Sequence, residues 1–180
     1  MTDRTGEVEL HVVSPDEWET HRAVRLAMLL DAPDAFGTTH AEAVVISEVQ
    51  WRHRIGAIFY VMATLDREPV GSVGMWPGTE PDPEDTNLIA MYVAPPARGR
   101  RVGERLVTAV QDEAVRQGRR RVHLEVTSSN VRAIRLYERL GFVFTGVAAP
   151  HRRRGGLEER AMVWTALEYR SGDGRAKVGP

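Results

Sequence analysis

The chain contains no cysteine in its 180 residues. That excludes structural disulfides, Cys-ligated zinc and a thiol nucleophile. Lysine is nearly absent too: Lys177 stands alone and every other basic side chain is arginine. No excess of charge of either sign exists, since 24 basic and 25 acidic residues leave a formal net charge of −1. Nothing in that balance points to nucleic acid or to an anionic membrane. Long hydrophobic runs are missing as well. The longest apolar stretch, Ile58 to Leu65, is far too short to span a bilayer, and Met1 to Leu10 lacks the apolar core of a signal peptide. The histidines at 11, 21, 40, 53, 123 and 151 show no ligand spacing, so no metal is expected. A serine nucleophile elbow is also absent.

What remains is an ordinary globular mixture, 42% apolar and 27% charged, long enough for one domain with a real core. A cytoplasmic setting is the default expectation. Strand-like segments alternate with helical ones throughout, which predicts an α/β fold with a mixed sheet. Val8 to Val13 reads as a first strand. Ser14-Pro15-Asp16-Glu17 then opens a helix to about Leu30. A second helix is expected over Ala41 to Arg54. Ile58 to Leu65 and Pro69 to Trp76 form a hairpin about Asp66-Arg67-Glu68, with Gly71 and Gly74 suggesting a bend or bulge.

Leu88 to Val93 is apolar on both faces, as a covered central strand should be. Beyond Pro95-Pro96, a helix runs from about Arg101 to Gln117, stopped by Gly118. Val122 to Thr127 is a strand and Asn130 to Leu140 a helix closed by Gly141, with Ser128-Ser129 as the expected cap. Phe142 to Val147 and Arg160 to Leu167 are the last strands. Between them lies the basic loop His151 to Arg154, read as an exposed loop. Ser171 to Pro180 reads as a disordered tail.

Two stretches carry chemistry. In Val93-Ala94-Pro95-Pro96-Ala97-Arg98-Gly99-Arg100-Arg101-Val102-Gly103-Glu104, a strand passes through a basic turn into a helix start. A helix N-terminus offers unpaired N–H groups and the positive end of the dipole, which favours an anion. The Walker and dinucleotide glycine patterns are both missing. Judged alone, the stretch fits a phosphate loop and a solvated basic turn equally well. The second stretch, Asn130 to Phe142, places Asn130 and Tyr137 on one helix face, two turns apart.

In this order, the two stretches resemble the GNAT superfamily of N-acetyltransferases. Its acetyl-CoA loop runs Arg/Gln, two residues, Gly, one residue, Gly/Ala. Arg98 and Gly103 match the ends, and Arg101 stands where the family usually has its middle glycine. Asn87 to Val93 resembles the family's fourth strand, and Asn130, Ala133, Tyr137 and Gly141-Phe142 its next block.

The resemblance implies a mixed, mostly antiparallel sheet of about seven strands flanked by about four helices, in one domain over residues 1–170. It implies acetyl-CoA as co-substrate. Met91, Tyr92, Val93, Arg98, Gly99, Arg100, Arg101, Val102, Gly103, Glu104, Asn130, Ala133 and Tyr137 would contact the cofactor. Tyr137 is the candidate general acid for the departing CoA thiolate, with a core aromatic as the competing account. Glu125, in a Leu-Glu-Val context similar to that of ribosomal-protein acetyltransferases of the superfamily, is the candidate base. The competing account there is a surface pair with an arginine.

Without cysteine, transfer would be direct. The acceptor is expected to be a small-molecule amine or a protein amine, and the superfamily often forms homodimers. Phe36, Trp51 and Trp76 are candidates for an acceptor pocket, although a small core would bury such aromatics anyway. A non-catalytic acyl-CoA sensor on the same fold is the alternative. A nucleic-acid binder using the arginine clusters is a distant third, because aromatics are not interleaved with them.

Overall fold

The computed structural model describes residues 6–77, 82–151 and 155–166. Among these residues, seven strands form one mixed sheet in the order β1-β2-β3-β4-β5-β7-β6, with four substantial helices and one short one. The expected fold class is what the chain adopts. The chain divides into two compact units, one built from the stretch up to Trp76 plus Leu88–Val110, the other from Pro77–Asn87 plus the stretch from Gln111 onward.

The first unit begins with β1 (Val8–Val12), paired antiparallel with β2 (Phe59–Leu65). Ser14 opens a short 3-10 turn at Pro15–Glu17, and its backbone N–H donates to the Glu17 carboxylate at 2.8 Å. That reciprocal capping launches α1 (Trp18–Asp31). The single helix expected over Ala41 to Arg54 is two helices instead, α2 (His40–Val44) and α3 (Glu48–Ala57). Each begins with its own capping box, Thr39 with Glu42 and Ser47 with Gln50. Ser47 is extended, at φ −72° and ψ 161°, so it interrupts a helix that the apolar run Val44-Val45-Ile46 would otherwise continue.

β2 turns into β3 (Glu68–Trp76) through Asp66 and Arg67, both at positive φ (52° and 68°). Two consecutive left-handed residues match the twist of a tight hairpin. The expected irregularity near Gly71 is present. The register slips between Ala63↔Gly71 and Thr64↔Pro69, leaving Val70 as the extra residue. At Gly74, a Cβ would meet the Tyr60 ring at 2.7 Å, so only glycine lets that ring lie on β3. A buried cluster including Val24, Met28, Ile55, Tyr60, Met62 and Tyr92 forms this unit's core.

β4 (Asp85–Val93) and α4 (Val102–Arg116) each contribute residues to both units. Val102, Leu106, Val107, Val110 and Ala114 are buried at helical spacing along α4. Burying each larger side chain contributes about 2 kcal/mol.

In the second unit, β4 pairs in parallel with β5 (Arg121–Thr127) through Asp85, Thr86 and Asn87. Val122, Leu124 and Val126 are buried, as the alternation predicts. α5 spans Val131–Arg139. β7 (Glu158–Thr165) lies between β5 and β6 (Val143–Pro150), antiparallel to both. Arg152 to Arg154 and the tail from Ser171 lie outside the described residues.

Candidate functional site

β4 approaches the loop with an irregularity of its own. Ala90 sits at φ +55°, a left-handed residue inside a strand. An L residue there costs about 1–2 kcal/mol, so surrounding contacts must hold it. Pairing with β5 ends at Asn87↔His123 among the described residues. Met91, Tyr92 and Val93 complete the strand, with Tyr92 buried and the other two half-buried.

Past a 3-10 turn at Pro95–Ala97, the chain enters the predicted phosphate loop. Gly99 has φ +84° and Arg101 φ +60°. Arg101 therefore adopts the left-handed conformation for which glycine is the easier residue, at the position where the resembled pattern has glycine. The first helical bond of α4 runs from Arg105 N–H to the Arg101 carbonyl at 3.1 Å. The N–H groups of Val102, Gly103 and Glu104 therefore have no intrahelical acceptor. They sit at the positive end of a 15-residue helix, which is a site for an anion.

The arginine at the head of the loop is already engaged. Arg98 donates from Nε to the Val93 carbonyl at 3.0 Å and pairs through its guanidinium with Asp31 at the end of α1. It fastens the loop to β4 and α1, so backbone N–H groups rather than this side chain are what the loop offers. Arg100 and Arg101 are exposed.

In the second unit, the block from Asn130 to Phe142 is a helix complete with both caps. Asn130, and not Ser128 or Ser129 as expected, is the N-cap: its Oδ1 accepts the Ala133 N–H at 3.2 Å. The serines are displaced because Asn130 is the residue that directly precedes the first helical turn. At the other end, Gly141 takes φ +84°. Phe142 N–H donates to the Tyr137 carbonyl at 3.0 Å, and Gly141 N–H to the Glu138 carbonyl at 3.1 Å. That bond pair is a Schellman cap.

Tyr137 is 6% exposed and its ring stands 5.6 Å from that of Phe142. Burial alone pushes its hydroxyl well above the ordinary phenol range. Among the described residues the hydroxyl makes no hydrogen bond. Glu125 is exposed on β5, opposite Ala161 of β7, and among the described residues no arginine pairs with it.

The three acceptor-pocket candidates fare differently. Trp51 is buried at 3% exposure, Phe36 is half-buried against the core, and Trp76 is exposed. Around Trp51 lies a cluster that no spacing along the sequence marks. His21 of α1 packs 4.4 Å from the Tyr60 ring and 5.9 Å from Trp51. Desolvation lowers its pKa from 6.5 to about 4, with Arg25 adding to the effect. Helical spacing alone could have paired His21 with Arg25, but α3 and β2 complete the group. Among the described residues no trio of His, Cys, Asp or Glu is placed to hold a metal ion, and no helix is long and apolar enough to cross a membrane.

The acetyltransferase (GNAT) family model matches residues 26–142, more than half of the chain. The chain belongs to the GNAT acetyltransferase family. Among curated relatives, the Xenopus laevis protein named "Probable N-acetyltransferase camello" is 39% identical over 89 residues, covering 49% of this chain and 40% of that protein. "Uncharacterized N-acetyltransferase YjgM" of Escherichia coli K12 is 34% identical over 83 residues, 46% of this chain and 50% of that protein. The chain thus spans half or less of the length of the curated relatives it matches.

Solved GNAT structures share the fold. A Streptococcus pneumoniae acetyltransferase of the family superposes with a TM-score of 0.77 at 16% identity, covering 88% of this chain and 99% of that one. The yncA protein of Salmonella typhimurium, solved with acetyl-CoA as its cofactor, gives 0.75 at 16% identity, covering 97% and 98%.

Proposed function

We propose that this protein transfers an acetyl group from acetyl-CoA directly to a primary amine. The observation that carries the reading is the loop: two left-handed residues, Gly99 and Arg101, followed by three helix N–H groups without an intrahelical acceptor. The diphosphate of CoA is the natural occupant of such a turn in a GNAT chain. In this reading Met91 to Val93 hold the pantetheine arm by their backbone. The amide NH2 of Asn130, whose oxygen is committed to the cap, donates to a pantetheine carbonyl.

The amine nitrogen attacks the thioester carbon, the C–S bond breaks, and the acetyl group leaves on nitrogen. Tyr137, as general acid, delivers its hydroxyl proton to the departing sulfur, and the proton lost by the amine restores the phenol through water before the next turnover. Glu125, an exposed carboxylate without a cationic partner among the described residues, takes the amine's proton through a water. A buried phenol with a raised pKa remains protonated at any working pH, so the donor form is always present. The same shift makes it a weaker acid, so hydrogen bonding to the developing thiolate is its larger contribution. The protein works on its amine as one domain over residues 1–170, in the cytoplasm, without nucleic acid or membrane.

The test is incubation with acetyl-CoA, a panel of amines and a thiol reagent. Free CoA should appear together with an amine product heavier by one acetyl group. Acetyl-CoA binding without turnover on any amine would favour the sensor alternative, and no binding at all would refute both.

A further inference from the structure

Six residues of the first unit bring together two cations, three donors and the Phe36 ring. Arg25 of α1 is half-buried over the Phe36 ring, with its guanidinium carbon 5.7 Å from the ring centroid. Arg54 of α3 is exposed and lies 5.9 Å from the Trp51 ring. Burial lowers the pKa of Arg25, and repulsion from the Arg54 guanidinium adds to it. Among the described residues neither has a carboxylate partner, although the neighbouring Arg52 has two, Asp16 and Glu48.

Beneath them, Trp51 Nε1 and both ring nitrogens of His21 are buried without a hydrogen-bond partner. Tyr60, also buried, feels both arginines. Arginine and tryptophan can only donate, and neutral His21 and Tyr60 each carry a proton to donate. The set is therefore dominated by donors and cations, of which Arg25 hydrogen-bonds only to Met28 Sδ, a weak acceptor at 3.7 Å, among the described residues. Buried polar groups are nearly always satisfied, and an unpaired guanidinium is costly to desolvate. Such a set of donors and cations suits an oxyanion.

We propose that Arg25 and Arg54, with the Trp51 and Tyr60 donors beside them, bind an anionic group on the acceptor, so that the amine acetylated is a small amino acid or aminophosphonate rather than a neutral amine. This rests on the acetyl-transfer reading and names the substrate class within it. The guanidinium fork suits a carboxylate or phosphonate, and the rings of Phe36, Trp51 and Tyr60 supply apolar walls for a side chain. It also gives Phe36 and Trp51 a part in acceptor recognition, as walls around a charge.

The experiment compares L-amino acids, their carboxamides and the matching 1-aminoalkylphosphonates as acceptors for the full chain. At least one acid or phosphonate should exceed its neutral counterpart by roughly 100-fold in kcat/KM, because the neutral analogue leaves the arginines unpaired. Whichever of the two wins identifies the oxyanion. Arg25→Gln should collapse that preference towards unity, chiefly by raising KM for the anionic acceptor. Arg54→Gln, at an exposed position where folding is safe, should do so more mildly. Equal use of acids and amides, or an unaltered preference in both variants, would overturn the proposal while leaving acetyl transfer standing.

A binding measurement separates the two claims. N-acetyl amino acids and N-acetyl aminophosphonates, titrated against intrinsic tryptophan fluorescence, should quench saturably in the wild type and far less in Arg25→Gln. Such binding supports the anion site even where no amine turns over, and its absence for every probe contradicts the site.

Discussion

The N–H of Phe142 donates to the carbonyl of Tyr137 at 3.0 Å while their rings lie 5.6 Å apart, so one residue pair both closes α5 and packs its last turn. Tyr137 thus has a structural task independent of its hydroxyl. Tyr137→Phe keeps the ring and the backbone bond, and should leave stability within about 0.5 kcal/mol. Turnover should fall by roughly one to a few orders of magnitude with acetyl-CoA affinity nearly intact. Tyr137→Ala should cost about 3–5 kcal/mol, by loss of a buried aromatic. Steady-state kinetics beside urea denaturation checks both; an unchanged rate in Tyr137→Phe removes the hydroxyl from the chemistry.

Burial raises the Tyr137 pKa above its ordinary 10.0. The acid form therefore survives beyond the pH at which an exposed tyrosine ionises. The kcat profile should show no alkaline limb from this residue up to about pH 10. A fall centred well below that value, absent in Tyr137→Phe, would contradict the assignment.

Asn130 should prove to have two separable tasks. Asn130→Asp and Asn130→Ser preserve the cap acceptor for Ala133 but delete the amide NH2. They should fold with little loss yet weaken acetyl-CoA several-fold. Asn130→Ala should lose about 1 kcal/mol of stability in addition. Thermal unfolding and calorimetric titration of acetyl-CoA separate the effects.

Arg101 is strained at φ +60°. Arg101→Gly relieves about 1–2 kcal/mol of left-handed strain, against about 0.5–1 kcal/mol of extra unfolded-state entropy. The net expectation is a slightly higher Tm with acetyl-CoA affinity retained within a few-fold. Arg101→Val, β-branched, should be destabilised. A lower Tm in the glycine variant would contradict the strain.

His21 predicts a pH dependence of folding. Its pKa is 6.5 in the open chain and about 4 in the buried state. Below 6.5 the unfolded chain binds the proton and the folded one does not, so stability falls as pH drops from about 6.5 towards 4. The loss reaches about 3 kcal/mol. Urea midpoints at pH 7 and pH 4.5 should differ by much less in His21→Phe.

The second half of the chain was largely legible because its signals are local. Gly118 and Gly141 stop helices at φ +73° and +84°, and α4 and β5 bury the residues that their periodicities mark. The split of α2 from α3 was hidden because the apolar run Val44-Val45-Ile46 is continuous with both helices, although the Thr39–Glu42 and Ser47–Gln50 boxes were there to be read. The kink at Ala90 carries no signal, since glycine would be the expected residue. The cluster of His21, Arg25, Trp51, Arg54 and Tyr60 depends on packing among α1, α3 and β2, and no spacing along the chain reveals which cations lack partners.

Acetyl-CoA binding depends on the peptide nitrogens at the start of α4, and NMR of the labelled protein reads them one by one. On titration with acetyl-CoA, the amide resonances of Val102, Gly103 and Glu104 should shift saturably, together with those of Gly99 to Arg101, and 3′-phospho-ADP alone should reproduce most of the change. Saturable binding that leaves these amides unmoved, or no binding at all, would contradict it.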